Sequence, residues 1–151
     1  MRAFLVLLCA LSCLSSTRAA DPAANARAEA FFRTVLDGDT GKAFDALMEG
    51  SLLPVSQPNA VSRLKGQLEN GLRVYGRPVG YELLEEKSIG SSLVRCVYVF
   101  RLEKYPLFWE FFFYKGTDRW LPVDVRFNDR LAPFRFDRPA APAPVDNAAA
   151  D

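Results

Sequence analysis

The sequence predicts an α+β domain in which three N-terminal helices pack on a curved, four-stranded antiparallel sheet. The first observation is the stretch 93–127, where three runs rich in Val, Phe, Tyr and Trp are separated by polar breaks at 103–106 and 115–119. Such runs are typical of strands in an antiparallel meander. The second observation is that the chain before this stretch carries apolar residues at helical spacing. Helices followed by consecutive strands favour a layered α+β architecture.

Residues 1–20 have the pattern of a secretory signal peptide. A basic residue precedes the apolar run 3–14, which is too short to span a bilayer, and small residues follow the run. We expect cleavage near Ala19 or Ala20, and export to the periplasm or the cell exterior. Small residues also precede Cys13, so a lipid-anchored form is the alternative, and it is the one route by which we expect a membrane partner.

The chain that remains after cleavage is close to neutral. Residues 1–20 hold two of the 19 basic residues, so 17 basic and 18 acidic side chains remain. This balance gives no electrostatic reason to expect a nucleic acid partner. The sequence has no histidine, and Cys96 is the one cysteine beyond the signal segment. An internal disulfide is therefore excluded, and neither a metal site nor a cofactor is expected.

Residues 21–131 are predicted to form the folded domain, and residues 132–151 a disordered tail. The tail is rich in proline and alanine and poor in large apolar residues towards its end. Such a segment cannot bury enough apolar surface to offset the entropy lost on ordering.

Three helices are predicted in the first half of the domain. The first has apolar residues at positions i, i+3, i+4, i+7 and i+8, which mark one buried face. That face consists of Ala28, Phe31, Phe32, Val35 and Leu36. A shorter second helix begins at Asp39 or Thr40, and 51–58 is predicted to be a loop. The third helix runs from about 59 to 75 and precedes a first strand at about 79–87.

Two stretches and the order of the elements resemble the nuclear transport factor 2-like superfamily. The stretches are the first helix, AEAFFRTVLDGD, and the closing strand with its turn, FYKGTDRWLPVDVRFND, and the resemblance covers about residues 24–131. It implies a cone made by a curved sheet around N-terminal helices. It also implies frequent dimerisation through the sheet and, in the enzymes of that superfamily, acid/base chemistry by Asp, Tyr or His.

Alternation along the second and third strands divides their side chains between two faces. The core face is predicted to hold Val94, Cys96, Tyr98, Phe100, Leu102, Leu107, Trp109, Phe111 and Phe113. With an even number of residues in the loop 103–106, Phe100 faces Trp109 and Tyr98 faces Phe111. The other face holds Leu93, Arg95, Val97, Val99, Arg101, Phe108, Glu110, Phe112 and Tyr114.

This second face mixes large apolar groups with charges, which favours an interface over a plain solvated surface. We therefore expect a homodimer through the sheet. The interface candidates are Arg95, Val97, Val99, Arg101, Phe108, Phe112 and Tyr114.

The loop after Lys115 decides where the last charged residues point, because a slip of one residue moves every side chain to the opposite face. A three-residue loop places Asp124 and Arg126 on the outer face. The core face then receives Leu121, Val123, Val125 and Phe127. A four-residue loop places Asp124 and Arg126 among the core aromatics instead. We favour the first arrangement because it keeps the core apolar.

The function predicted first is an exported, non-enzymatic domain. It binds a small apolar ligand in the cone, or a protein partner through the sheet. The candidate ligand-binding residues are Phe31, Tyr98, Trp109, Phe111 and Arg126.

Two alternatives stay open. One is an acid/base enzyme of the isomerase or dehydratase kind that uses Asp124 or Glu110, with Tyr98 and Tyr114 as further candidates, because an apolar cavity raises the pKa of a carboxyl group towards neutrality. The other is a structural dimerisation module. Cross-strand ion pairs from Glu110 and Asp124 to Arg101 and Arg126 are favoured over catalysis. For Cys96, a buried inert thiol is favoured over a nucleophile.

Overall fold

A computed structural model of the chain describes residues 22–130, with side chains from Ala24 onward. The predicted signal peptide, the lipid-anchor alternative at Cys13 and the predicted disordered tail at 132–151 lie outside the described residues.

The chain is an α+β domain with four helices followed by four strands in the described range. The helices are α1 (Pro22–Leu36), α2 (Thr40–Met48), α3 (Leu53–Ser56) and α4 (Pro58–Tyr75). The strands are β1 (Pro78–Ile89), β2 (Leu93–Leu102), β3 (Pro106–Lys115) and β4 (Trp120–Asn128). The α+β class is confirmed, whereas the expected helix number was three.

The additional helix, α3, lies in the segment predicted to be a loop. It is only one turn long, and Pro54 lies in that turn, where the fixed φ of proline suits a helix start and its missing N–H costs nothing. Leu53 is buried, so tertiary packing supports a helix too short for periodicity to reveal.

Local signals define the ends of the longer helices. Asp39 caps α2, because its carboxylate accepts a hydrogen bond from the Lys42 backbone N–H at 2.8 Å. Gly76 ends α4 at φ +92°, a conformation that glycine adopts without strain, and its N–H donates to the Leu72 carbonyl. The helix α4 presents a narrow buried stripe that includes Leu68 and Gly71.

All four strands form one antiparallel sheet in the order β1-β2-β3-β4. In the β2–β3 hairpin, Tyr98 pairs with Trp109 and Phe100 with Leu107. The predicted partners, Trp109 for Phe100 and Phe111 for Tyr98, were wrong by two residues, because the chain turns one residue earlier than assumed. A shift of two residues leaves every side chain on its face, so the division into two faces in β2 and β3 is confirmed.

The β3–β4 hairpin combines a four-residue turn with a bulge. Lys115 pairs with Trp120 across the turn, but the register shifts at Val123, so that Phe113 pairs with Pro122 and Phe112 with Asp124. An extra residue in one strand reverses the facing of everything beyond it. The predicted three-residue loop was therefore wrong.

The bulge decides which residues of β4 face the helices. Trp120 and Pro122 precede it and share the core face. The prediction that Leu121 and Val123 face the core was wrong, because Leu121 pairs with Tyr114 on the outer face and Val123 sits in the bulge, 42% exposed. Beyond the bulge, the predicted facing is confirmed. The core face there holds Val125 and Phe127, and the outer face holds Asp124 and Arg126.

The hydrophobic core lies between the helices and the inner face of the sheet. Phe31, Phe32 and Val35 of α1 and Phe44 and Leu47 of α2 are at most 3% exposed. They belong to one cluster with the inner-face residues of β2 and β3. The outer face is the side of the sheet that this cluster does not occupy.

Replacing Asp39 by alanine is expected to lower the free energy of unfolding by about 1 kcal/mol, because the Lys42 N–H loses its acceptor. Urea denaturation measures the change. Asp37→Ala is the control, since Asp37 follows α1 rather than capping α2, and we expect a change within about 0.5 kcal/mol. Equal losses in the two variants would contradict the assignment of the cap.

Candidate functional site

The aromatic residues predicted to bind a ligand form a packed cluster. Phe31, Tyr98, Trp109 and Phe111 are all at most 2% exposed. The Phe31 ring centroid lies 5.2 Å from that of Trp109 and 6.1 Å from that of Phe111, and Tyr98 lies 6.0 Å from Phe111. These distances are those of rings in direct contact. The structure thus brings four of the five candidate ligand residues together, and their rings pack on one another.

The fifth candidate, Arg126, lies on the opposite face of the sheet. Its backbone pairs with Glu110, its side chain is 60% exposed, and its guanidinium stacks over the Phe112 ring at 5.4 Å. Arg126 is therefore not part of the aromatic cluster with which it was grouped as a ligand-binding candidate, and it lies on the outer face, as the favoured arrangement of β4 predicted. The bulge at Val123 is the physical reason.

The acid/base candidates Glu110 and Asp124 also lie on the outer face. Glu110 is 5% exposed and is covered by neighbouring outer-face side chains rather than by the aromatic interior. Asp124 pairs with Arg126 at 2.6 Å, and its side chain is 42% exposed. Tyr114, a further candidate, is exposed on the same face, whereas Tyr98 is buried on the inner face. The structure thus does not bring these four candidates into one cavity.

The outer face carries a chain of charges that crosses all four strands, which we call the charge ladder. Its five members are Glu85, Arg95, Glu110, Arg126 and Asp124. Arg95 binds Glu85 on one side and Glu110 on the other, the latter at 2.5 Å. Arg126 binds Glu110 at 3.3 Å and Asp124 at 2.6 Å. Each carboxylate thus neighbours a guanidinium, and the signs alternate across the sheet.

The centre of the charge ladder is buried. Arg95 is 9% exposed and Glu110 5%, so each needs its counter-ion. Burial lowers the pKa of Arg95, but hydrogen bonds and charge attraction from Glu110 and Glu85 outweigh it and raise that pKa. Arg95 is therefore a permanent cation that holds two carboxylates from neighbouring strands.

The predicted ion pairs are partly wrong in their partners. Asp124 pairs with Arg126 as expected, and Glu110 pairs with Arg126 as well. Arg101 was expected among these partners, but it pairs with Glu82 at 3.1 Å on the exposed edge of the sheet. Arg95 was predicted only as an interface residue. It is also the central partner of Glu110, which lies diagonally across from it on the neighbouring strand.

Apolar side chains flank the charge ladder. Val97 lies beneath it with no exposed surface, while Tyr114 is 45% exposed. Val99, Phe108 and Phe112 are half-buried. The predicted interface residues therefore share one face, as expected, but Arg95 belongs to the buried centre of that face and Val97 has no exposed surface with which to contact a partner.

A second polar group, missed by the sequence analysis, lies on the inner face. The Tyr98 hydroxyl donates to the side-chain oxygen of Asn25, and the Asn25 amide nitrogen donates to Glu86. Burial raises the pKa of Glu86, as does the nearby Glu29 charge, against the opposing effect of the Asn25 hydrogen bond. Strict alternation from Tyr81 would place Glu86 outside, and a register shift between Leu83 and Glu85 turns it inward.

Cys96 is buried with no exposed surface beside this group. Burial raises the pKa of its thiol to about 12, and the Glu86 charge adds to that effect. Since the thiolate is the nucleophilic form, Cys96 is an inert thiol at neutral pH.

Between residues 22 and 130, no three histidine, cysteine, aspartate or glutamate side chains are grouped so as to hold a metal ion. In the same range, no helix has both the length and the hydrophobicity needed to span a bilayer.

Three comparisons with known proteins gave no match: no family model matches the chain, and neither does a curated protein or a solved structure. The resemblance to the nuclear transport factor 2-like superfamily therefore rests on the quoted stretches and stays a prediction.

Replacing Glu110 by glutamine is expected to lower the free energy of unfolding by about 2–3 kcal/mol, because buried Arg95 loses one of its two carboxylates. Glu82→Gln is the matched control, since it removes the exposed cross-strand pair with Arg101, and we expect a loss below about 1 kcal/mol. Both are measured by urea denaturation. A Glu110 variant as stable as the control would contradict the importance of the buried pair.

Replacing Glu86 by glutamine is expected to stabilise the fold at neutral pH. The folded-state pKa of Glu86 lies above its ordinary value, so ionisation costs folding free energy above that pKa, and the cost disappears as the pH falls below the ordinary value. The stability difference between the variant and the natural chain should therefore shrink on acidification. Denaturation midpoints at neutral pH and below pH 4.5, the ordinary value, measure it. A difference that is constant with pH would exclude this origin.

Proposed function

We propose that the chain is an exported, non-enzymatic domain that associates with a second copy of itself through the outer face of its sheet. The observation that carries this proposal is the charge ladder, whose three carboxylates and two guanidiniums are paired with one another, with its centre buried and apolar side chains around it. Large apolar side chains exposed on one sheet face, around charges that are already paired, favour an interface over a solvated surface. The signal-peptide pattern at residues 1–20 supports export.

The charge balance of the outer face favours a second copy as the partner. A two-fold interface places the same surface on both subunits, so that surface must be complementary to itself. Four cations lie on this face: Lys87, Arg95, Arg101 and Arg126. Four anions accompany them: Glu82, Glu85, Glu110 and Asp124. A face with equal charges of both signs suits its own copy better than a strongly charged partner.

The inner face supports the non-enzymatic part of the proposal. We infer that the helices and the sheet enclose a cone-like interior. Rings of Phe31, Phe32, Tyr98, Trp109 and Phe111 occupy this interior. The carboxylates suggested for acid/base chemistry lie on the opposite face with arginine partners, so the geometry favours binding over catalysis.

Sedimentation equilibrium of the purified chain tests the proposal. The natural chain is expected to show a concentration-dependent dimer. Phe112→Glu is expected to weaken dimerisation roughly thirtyfold, as for a central interface residue that contributes about 2 kcal/mol. The reason is that an added carboxylate beside Asp124 upsets the charge balance of the face.

Val55→Glu is the control for that measurement. Val55 is an exposed apolar residue, 80% accessible, on α3 rather than on the sheet. It should leave the dimerisation constant unchanged. A natural chain that stays monomeric at every concentration would overturn the proposal, and so would equal weakening by the two variants.

A further inference from the structure

A groove lies where the C-terminal ends of α1 and α4 meet the beginning of β1, and we call it the helix-end groove. Its volume is about 430 Å³, within the range of roughly 300–1,000 Å³ that is typical of small-molecule sites. Val35 and Leu36 of α1, Leu72 of α4 and Val79 of β1 line its apolar walls. Val79 is 57% exposed, so the groove opens to solvent and is distinct from the aromatic cluster.

Two glycines lie in the wall of the helix-end groove. Gly38 and Gly76 follow α1 and α4 with φ near +90°, and their role in ending the helices accounts for their presence. A Cβ atom added at Gly76 would lie 2.6 Å from a carboxylate oxygen of Glu103, so this glycine makes room for the Glu103 side chain. A Cβ atom added at Gly38 would meet nothing within 4 Å, so the wall there borders free space.

An ion pair forms the polar rim of the helix-end groove. Arg77 donates from Nε and Nη2 to one oxygen of Glu103 at 3.1 and 3.0 Å, and its backbone N–H donates to the other oxygen. These hydrogen bonds from Arg77 lower the pKa of Glu103, so the carboxylate is ionised at neutral pH. The rim therefore offers a donor and an acceptor side by side with no net charge.

This rim selects the head group of a ligand. An anionic head group would be attracted by the Arg77 guanidinium but repelled by the Glu103 carboxylate. A cationic head group would be attracted by Glu103 but repelled by Arg77, so the two effects oppose each other in both cases. A hydroxyl or a primary amide can accept from Arg77 and donate to Glu103 without that repulsion. We propose that the helix-end groove binds an uncharged amphipathic molecule, with its apolar chain or ring on the valine and leucine walls and its hydroxyl or amide head at the rim.

Methyl NMR of the mature chain, residues 21–151, tests this with three probes of equal chain length: decan-1-ol, decanoate and decylammonium. Decan-1-ol is expected to shift the methyl signals of Val35, Leu36, Leu72 and Val79 saturably. At neutral pH, decanoate and decylammonium are expected to bind at least about tenfold more weakly, because both are charged. Equal binding of the three probes, or no saturable binding of decan-1-ol, would overturn the proposal.

A matched pair of variants locates the site. Val79→Trp fills the helix-end groove and is expected to weaken decan-1-ol binding at least about tenfold. Val123→Trp is its control, because Val123 is also an exposed valine of an edge strand, 42% accessible, and lies outside the groove. Val79→Gln, which makes the wall polar without adding bulk, repeats the test should the tryptophan disturb the core methyl spectrum. Binding that survives both Val79 variants, or shifts confined to the core residues Val94 and Val125, would place the ligand elsewhere and overturn the proposal.

Discussion

The packing of two neighbouring phenylalanines of α1 against the sheet is the interaction on which the rest of the structure depends. The ring centroid of Phe32 lies 5.1 Å from that of Tyr98 and 5.2 Å from that of Phe100. The ring centroid of Phe31 lies 5.2 Å from those of both Phe44 and Trp109. These two rings therefore join α1 to β2, β3 and α2 at once. Because the core is held by apolar contact on this side, the polar and charged groups of β2 and β3 collect on the other side.

That separation gives the same strands two chemically different faces. On the inner face, the indole N–H of Trp109 is buried without a hydrogen-bond partner among the described residues, which shows how far apolar packing dominates there, since such a group costs about 1–3 kcal/mol. On the outer face, the buried charges of Arg95 and Glu110 have charged partners on both sides. A surface whose charges are already paired can lose water at a lower cost, and this is what the proposed association through that face requires.

Much of the fold could be predicted from spacing alone. The period of α1 identified Phe31 and Phe32 as buried, and alternation in β2 and β3 identified both faces. What could not be predicted came from irregular backbone. The turn after Lys115 has four residues, yet Asp124 faces outward because of the bulge at Val123. In β1, the register shift before Glu85 turns Glu86 towards the core. A bulge changes side-chain facing without changing composition, so periodicity gives no sign of it.

The site was less predictable than the fold because its contacts are diagonal or distant in sequence. Glu85 is paired with Val97 on β2, but it binds Arg95, two residues away on the same face. The helix-end groove joins residues of α1, α4 and β1. Such neighbours become visible only once strand register and helix placement are known. Arg77 and Glu103, for example, are 26 residues apart.

The buried thiol of Cys96 allows the opening of the sheet to be measured by chemical labelling. It lies in β2, paired with Glu86 on one side and Phe111 on the other, and with no exposed surface it is protected while these strands stay together. A thiol reagent can therefore reach it only when the sheet opens, and the labelling rate in native buffer reports how often that happens. The thiol that is unreactive in the closed sheet thus reports the rate at which the sheet opens.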